Sequence, residues 1–256
     1  MHPRSTKHKK ECKQRAAEIY DESLFKEPPP EVCPMCLLPL EEGTSSFNSC
    51  CGTSICNGCV YAMGASDGQM KVNCPLCNLP PASSDEELVK RTTILAEAGN
   101  AEACNSLAGM HFRGIRGVSQ DLGKANELLL RGAKLGCATS YYNLGNAYIL
   151  GGRGVEVNEK KAKQYFELAA MHGSAAARYN LAGLEGRAGN HFRGMRHLTI
   201  AVRSGHEDSM NQYKDFYGRG LVTKDEYEST LLAFQKRQDE RKSETREKAK
   251  ELMLRG

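Results

Sequence analysis

Tryptophan is absent from this 256-residue chain and aromatic residues make up only 7% of it, so large aromatic clusters are not expected to dominate a core. With 40% apolar residues and a length sufficient for two modest domains, this composition suits closely packed helices. No apolar run approaches the ~18 residues a membrane span requires, so no membrane partner is expected. Charge of neither sign dominates: the net charge is +4, and Lys71 is the sole cation between Cys33 and Cys77, so nucleic acid is not an expected partner either. No secretory leader is expected, because Met1-His2-Pro3-Arg4 runs straight into Lys7, Lys9 and Lys10. The expectation is a cytoplasmic or nuclear location, in which thiols stay reduced. The seven histidines are scattered, and none stands in a serine or cysteine triad signature or an H-E-x-x-H motif, so no catalytic residue is assigned.

What the chain does have is cysteine in one place. Eight of its eleven cysteines are Cys33, Cys36, Cys50, Cys51, Cys56, Cys59, Cys74 and Cys77, arranged as three C-x-x-C knuckles and a doublet. In a reducing compartment thiolates at knuckle spacing bind zinc rather than pair as disulfides. Eight thiolates fill two tetrahedral shells, and a shell closed by four sulfurs leaves no position for a reactive water. Two structural Zn2+ ions are therefore expected to fold the segment without performing hydrolysis. Chelation is expected to unfold residues 33–77 while the helical remainder survives. Spacing alone leaves two pairings open: an interleaved one, and a ribbon in which Cys56 and Cys59 join Cys74 and Cys77 while the earlier four form a separate site.

Around this segment the chain divides into a basic helical arm (1–30), the cysteine module (31–80), a capping helix (81–98), a repeat array (99–236) and a charged C-terminal helix (237–256). Arg4, Lys7, Lys9, Lys10, Lys13 and Arg15 against one Glu11 read as a solvated tail, and Pro28-Pro29-Pro30 ends the helical spacing of Ala16, Ala17, Ile19, Tyr20, Leu24 and Phe25. Ser84-x-x-Glu87 reads as a capping box opening a helix that Gly99 stops. Residues 100–136 and 137–173 superimpose at a spacing of 37, with Leu107 on Leu144, Gly114 on Gly151 and Ala125 on Ala162. A third unit, 174–205, shortens to 32 residues and lacks the glycine loop. Each unit reads as two helices, the first carrying a small residue (Ala108, Gly145, Ala182) where a neighbour comes close. The loops at Gly114-Ile115-Arg116-Gly117 and Gly151-Gly152-Arg153-Gly154 follow helices and no strand, so they are turns and not phosphate cradles. Helical hairpins that repeat must stack, so the array is expected to be a solenoid, and Gln235 to Gly256 a solvated helix over its open end. His111-Phe112-Arg113-Gly114 recurs as His191-Phe192-Arg193-Gly194 out of register with the repeat, a coincidence. Cys104 and Cys137 read as packing residues, and Cys12 as a thiol of the arm.

Cys51-Gly52-x-x-Ile55-Cys56-x-x-Cys59 ahead of Cys74-Pro75-x-Cys77 resembles a RING finger over residues 33–78. That resemblance implies the interleaved pairing: Cys33, Cys36, Cys56 and Cys59 on one zinc, Cys50, Cys51, Cys74 and Cys77 on the other. Thr53 stands where the family ordinarily has histidine, so Cys50 takes the missing ligand's place. The resemblance further implies a docking groove for a ubiquitin-conjugating enzyme at Met35, Met63, Pro75 and Leu76, and transfer of ubiquitin to a bound substrate. Asn78 replaces the arginine that active members often carry. Tyr142-Asn143-Leu144-Gly145-x-x-Tyr148-x-x-Gly151 through Lys161-Ala162 to Gly173 resembles Sel-one-like repeats, relatives of the tetratricopeptide family, which implies a protein substrate or partner held by the solenoid. The expected fold class is mainly α: a small zinc-stabilised RING finger followed by a solenoid of helix-turn-helix repeats. The expected function is a ubiquitin ligase, with a non-enzymatic zinc-stabilised adaptor as the alternative.

Overall fold

A computed structural model describes residues 3–64, 73–151 and 154–253, with side chains described from Lys10 to Leu252 within those spans. The side chains of Arg4, Lys7 and Lys9, the loop residues Gly152 and Arg153, and Lys71 lie outside the described residues. The chain begins with α1 (Pro3–Leu24), then forms a two-stranded antiparallel hairpin, β1 (Ser45–Asn48) and β2 (Thr53–Cys56), followed directly by α2 (Asn57–Ala62). The elements described after it are all helices: α3 (Asp85–Glu97), α4 (Ala101–Arg113), α5 (Leu122–Lys134), α6 (Ala138–Leu150), α7 (Glu159–Met171), α8 (Ala175–Arg187), α9 (His191–Arg203), α10 (Glu207–Gly218), α11 (Lys224–Arg241) and α12 (Glu244–Met253). This is the mainly helical repeat solenoid that the sequence predicted.

Local chemistry sets the helix ends. Asn100, Asp121, Cys137, Asn158 and Ser174 each turn a side-chain acceptor onto a backbone N–H of the first turn of α4 to α8. Gly136, Gly173 and Gly205 follow the second helix of successive hairpins at φ of 90°, 100° and 86°, a conformation that glycine alone adopts without cost. At α3 the cap is Ser84, whose Oγ accepts from Glu87 N at 3.1 Å, but the Glu87 carboxylate reaches past it to Ser83, so the expected box closes one residue early. Hairpins α4/α5, α6/α7 and α8/α9 stack in sequence, and α10 and α11 close the far end over a core of Leu198, Val202, Met210 and Tyr213. Gly145 explains the close crossing within the second hairpin, since a Cβ there would stand 2.5 Å from the Phe166 ring.

Three parts depart from the expected outline, and all three pack inward. The arm is exposed from Lys10 to Ile19, but Leu24 and Phe25 enter the core of α7 and α8 beside Phe166 and Leu181. The cysteine module lies along the N-terminal ends of the first helices: Asn100 donates to Gly52 O at 3.0 Å, and Glu42 accepts from Ser174 Oγ at 2.6 Å and Ala176 N at 3.0 Å. Phe47 packs against the cluster of Ala96, Ala103 and Leu107. The C-terminal helix is not a solvated cover. The helical run breaks at Lys242, which is extended, and α12 turns back onto α2. Charge patterning had no signal for this docking, because α12 presents its glutamates and lysines outward and needs only Ala249 and Arg246 to pack.

Candidate metal centre

Two knuckles of the module share one backbone plan. Cys33 N donates to Leu38 O and Leu37 N to Cys33 O, at 3.0 and 2.8 Å; Cys74 N donates to Leu79 O and Asn78 N to Cys74 O, at 2.8 and 2.7 Å. Pro34 and Pro75 occupy the second position of each, where a fixed φ favours the turn and no N–H is needed. Leu37 and Asn78, the residues after the second sulfur, stand at φ 57° and 58°. Asparagine tolerates this left-handed conformation better than most side chains, which gives position 78 a local reason to be Asn. Asn78 is exposed, and its Oδ1 accepts from Asn73 Nδ2 at 3.4 Å.

The hairpin distributes its cysteines in opposite directions. Its tip, residues 49–52, bends sharply at Gly52 (φ 71°) and carries the Cys50–Cys51 doublet, while its base delivers Cys56 and, one turn into α2, Cys59. The structure gathers the sulfurs of Cys33, Cys36, Cys56 and Cys59 into one group and those of Cys50, Cys51, Cys74 and Cys77 into another, all within 4.8 Å of one another in each. Cys56 and Cys59 do not join Cys74 and Cys77.

Both groups fit a tetrahedral metal ion. Measured S···S separations are 3.8 Å for Cys33–Cys59, 3.7 Å for Cys36–Cys56 and 3.9 Å for Cys51–Cys74. A tetrahedron with metal–sulfur bonds of about 2.3 Å has an edge of ~3.8 Å, whereas a disulfide would require about 2.05 Å. None of the eleven cysteines forms a disulfide. Backbone N–H groups of Cys56 and Cys59 point at the sulfurs of Cys33 and Cys56, each at 3.4 Å. Burial, then the neighbouring thiols of Cys77 and Cys74, pushes the Cys50 thiol far above its ordinary range, while against burial the backbone N–H groups lower those of Cys33 and Cys74.

Sequence reading missed the second contact sphere of the first group. Arg246, on α12, places Nη2 3.5 Å from Cys36 Sγ and donates to Pro39 O at 2.7 Å and Leu38 O at 3.3 Å. Gly58 makes room for it, since a Cβ would meet Arg246 Cγ at 2.5 Å and the Arg246 backbone N at 2.9 Å. Two hundred residues separate these partners, so no local pattern announced them. Of the expected groove residues, Met35 is 37% exposed, Leu76 is 42% exposed and Pro75 is exposed, with Leu37 and Leu79 adding to the apolar rim. Met63 is instead half-buried against the module core of Ile55 and Val60. A cleft of about 750 Å³ between α2, α10, α11 and α12 holds no histidine, and Cys56, its one cysteine, belongs to the first sulfur group. Cys137 caps α6, its sulfur accepting from Ser140 N at 3.3 Å, and burial pushes its thiol up to about 11, so it is inert.

Fold and site together define an α-helical repeat solenoid joined to a small module with two four-cysteine groups able to hold metal ions. Residues 101–137 and 138–174 match the family model of the Sel1 repeat, so the two full units are Sel1 repeats. A Sel1 repeat protein from Oxalobacter formigenes superimposes with a TM-score of 0.52 at 22% identity, over 59% of this chain and 64% of that one, which supports the fold. The protective antigen c5321 of uropathogenic Escherichia coli, displaying an SLR fold, aligns with a TM-score of 0.48 at 22% identity over 68% of this chain and 41% of that one. The chain thus spans less than two thirds of either structure. No curated protein matches it.

Proposed function

We propose that the cysteine module is a RING-type platform holding two zinc ions through Cys33, Cys36, Cys56 and Cys59, and Cys50, Cys51, Cys74 and Cys77, and that the protein is a ubiquitin ligase. The observation that carries this reading is the alternation of sulfur pairs between the groups, with the apolar tips Met35 and Leu76 exposed on the outer knuckles. Metal held at both ends of the hairpin makes the knuckles rigid, and exposed apolar side chains on a rigid frame are what a docking partner requires. The partner is a charged ubiquitin-conjugating enzyme seated on Met35, Pro75, Leu76 and the accessible edge of Met63, while the solenoid holds a protein substrate in the cytoplasm or nucleus. The module forms no covalent intermediate of its own and acts by orientation.

The test is discharge of ubiquitin from a panel of charged conjugating enzymes. Acceleration by the wild-type chain that falls to background in Met35→Ala and Leu76→Ala supports the reading; no acceleration of any member removes it. Asn78 favours a second reading, because an asparagine offers no charge with which to hold the ubiquitin tail. In that reading the module is a zinc-stabilised adaptor, which gives tight protein partners and two equivalents of zinc but no discharge.

A further inference from the structure

Residues 18–28 lie on α7, α8 and α9 in the manner of a bound peptide. Arg178, 1% exposed, donates Nη1 to Leu24 O at 2.9 Å and Nη2 to Lys26 O at 3.0 Å, gripping main chain rather than side chain. Arg193 closes on both carboxylate oxygens of Asp21 at 2.8 and 2.6 Å. Phe25 fills an apolar seat between the His197 ring, 4.5 Å away between centroids, and the Arg196 guanidinium, 3.7 Å over its face. Arg203 meets Glu27 at 3.2 Å. The charges are complementary where they meet: Asp21 and Glu27 face Arg193 and Arg203, with Glu185 holding Arg193 from the other side at 3.2 Å.

Two features of the seat do not suit a permanent lid. Among the described residues, Arg178 is buried with carbonyl partners and no carboxylate bonded to it, and His197 is 0% exposed with neither ring nitrogen hydrogen-bonded. Burying a guanidinium with no carboxylate bonded to it, only the more distant charge of Glu27, and an imidazole without a partner weakens the closed arrangement relative to an open one in which water reaches both. Side chains are read at Tyr20, whose hydroxyl donates to Glu167 Oε2 at 2.7 Å, at the Asp21 carboxylate, at the leucine and aromatic three and four residues beyond it, and at Glu27 on the rim.

We infer that this seat is the solenoid's docking groove for acidic segments of the pattern Asp-x-x-Leu-Phe in other proteins, and that residues 18–28 occupy it in cis as a competitor. The inference rests on the solenoid being the partner-binding arm and is independent of ubiquitin transfer.

The probe is a synthetic peptide of residues 16–28, used with the full-length chain. In the wild type, an excess of peptide should raise hydrogen exchange of the amides of residues 19–27 about tenfold while α8 and α9 stay protected. With Asp21→Ala and Phe25→Ala together, the fluorescein-labelled peptide should bind at least about tenfold more tightly than to wild type, because the competitor no longer holds the seat. Adding Arg193→Glu should remove that binding, and a peptide carrying Asp21→Lys should restore it. Unchanged exchange in the wild type, or binding indifferent to Arg193→Glu, overturns the proposal. If the double variant loses its helical circular dichroism, the wild-type exchange result decides alone. Ubiquitin discharge measured in parallel has no bearing on these outcomes, so loss of ligase activity and loss of docking are told apart.

Discussion

Chelating the metal proposed for the cysteine module tests how far the two halves of the molecule depend on each other. Sequence alone predicted that residues 33–77 would unfold and leave the helices untouched, but the module is clamped between the solenoid and α12. Losing it deletes the hydrogen bonds of Asn100 to Gly52, of Ser174 and Ala176 to Glu42, and of Arg241 to Leu40 O. At about 1 kcal/mol each these amount to roughly 4 kcal/mol, and half-buried Phe47 adds about 1 kcal/mol. A loss of ~5 kcal/mol lowers the melting temperature of a helical array of this size by roughly 10–20 °C without melting it at 25 °C. The contacts within α4/α5, α6/α7 and α8/α9 are untouched, so the far-ultraviolet helical signal should persist. α12 should come free, because Arg246 loses Leu38 O, Pro39 O and Cys36 together. The assay is chelator titration followed by circular dichroism melting and limited trypsin digestion. Retained helix, a lowered melting temperature and new cleavage at Lys248 or Lys250 are expected. An unchanged melting temperature, or collapse of all helical signal, refutes the reasoning.

Much of this architecture was legible because repetition and capping are local. The 37-residue spacing, the glycines after each second helix and the small residues at Ala108, Gly145 and Ala182 all follow from how one hairpin must turn and stack on the next. The cysteine grouping was legible from knuckle spacing only up to the choice of pairing; the hairpin that carries Cys50 and Cys51 to one group and Cys56 and Cys59 to the other is a tertiary fact. Arg246, Arg178 and the Glu42 cap on α8 were not legible at all. Each satisfies a backbone or sulfur acceptor, or a helix N-terminus, more than 130 residues away, and a charged residue of that kind looks in sequence like any solvated one. Composition misled for the same reason: the arm and the C-terminal helix are charged overall, yet each needs only a few apolar or arginine contacts to dock.

Gly58→Ala should force α12 off α2, since its methyl group would meet Arg246 backbone atoms at 2.9 to 3.0 Å; the cost is about 1–3 kcal/mol, read as faster trypsin cleavage within α12 at unchanged solenoid melting. Gly145→Ala should lower the melting temperature by roughly 3–10 °C through its clash with Phe166, and Phe166→Leu in the same chain should recover part of that loss. The last prediction concerns acid. Burial, then the charge of Arg178, holds the His197 imidazole down to about 3 against an ordinary 6.5, while Glu185 pulls the other way and Arg193 and Lys163 reinforce the depression. Between those values the unfolded chain binds a proton that the fold refuses. The stabilisation is therefore whole above pH ~6.5 and is lost progressively as pH falls toward ~3, by roughly 3–5 kcal/mol in all. Substituting His197→Phe keeps an aromatic ring against Phe25 and removes the titration, so its melting temperature should fall less steeply than wild type between pH 6.5 and 4. Parallel acid limbs in the two proteins would show that His197 does not stay neutral in the fold, and that the buried guanidinium beside it is not shaping its charge.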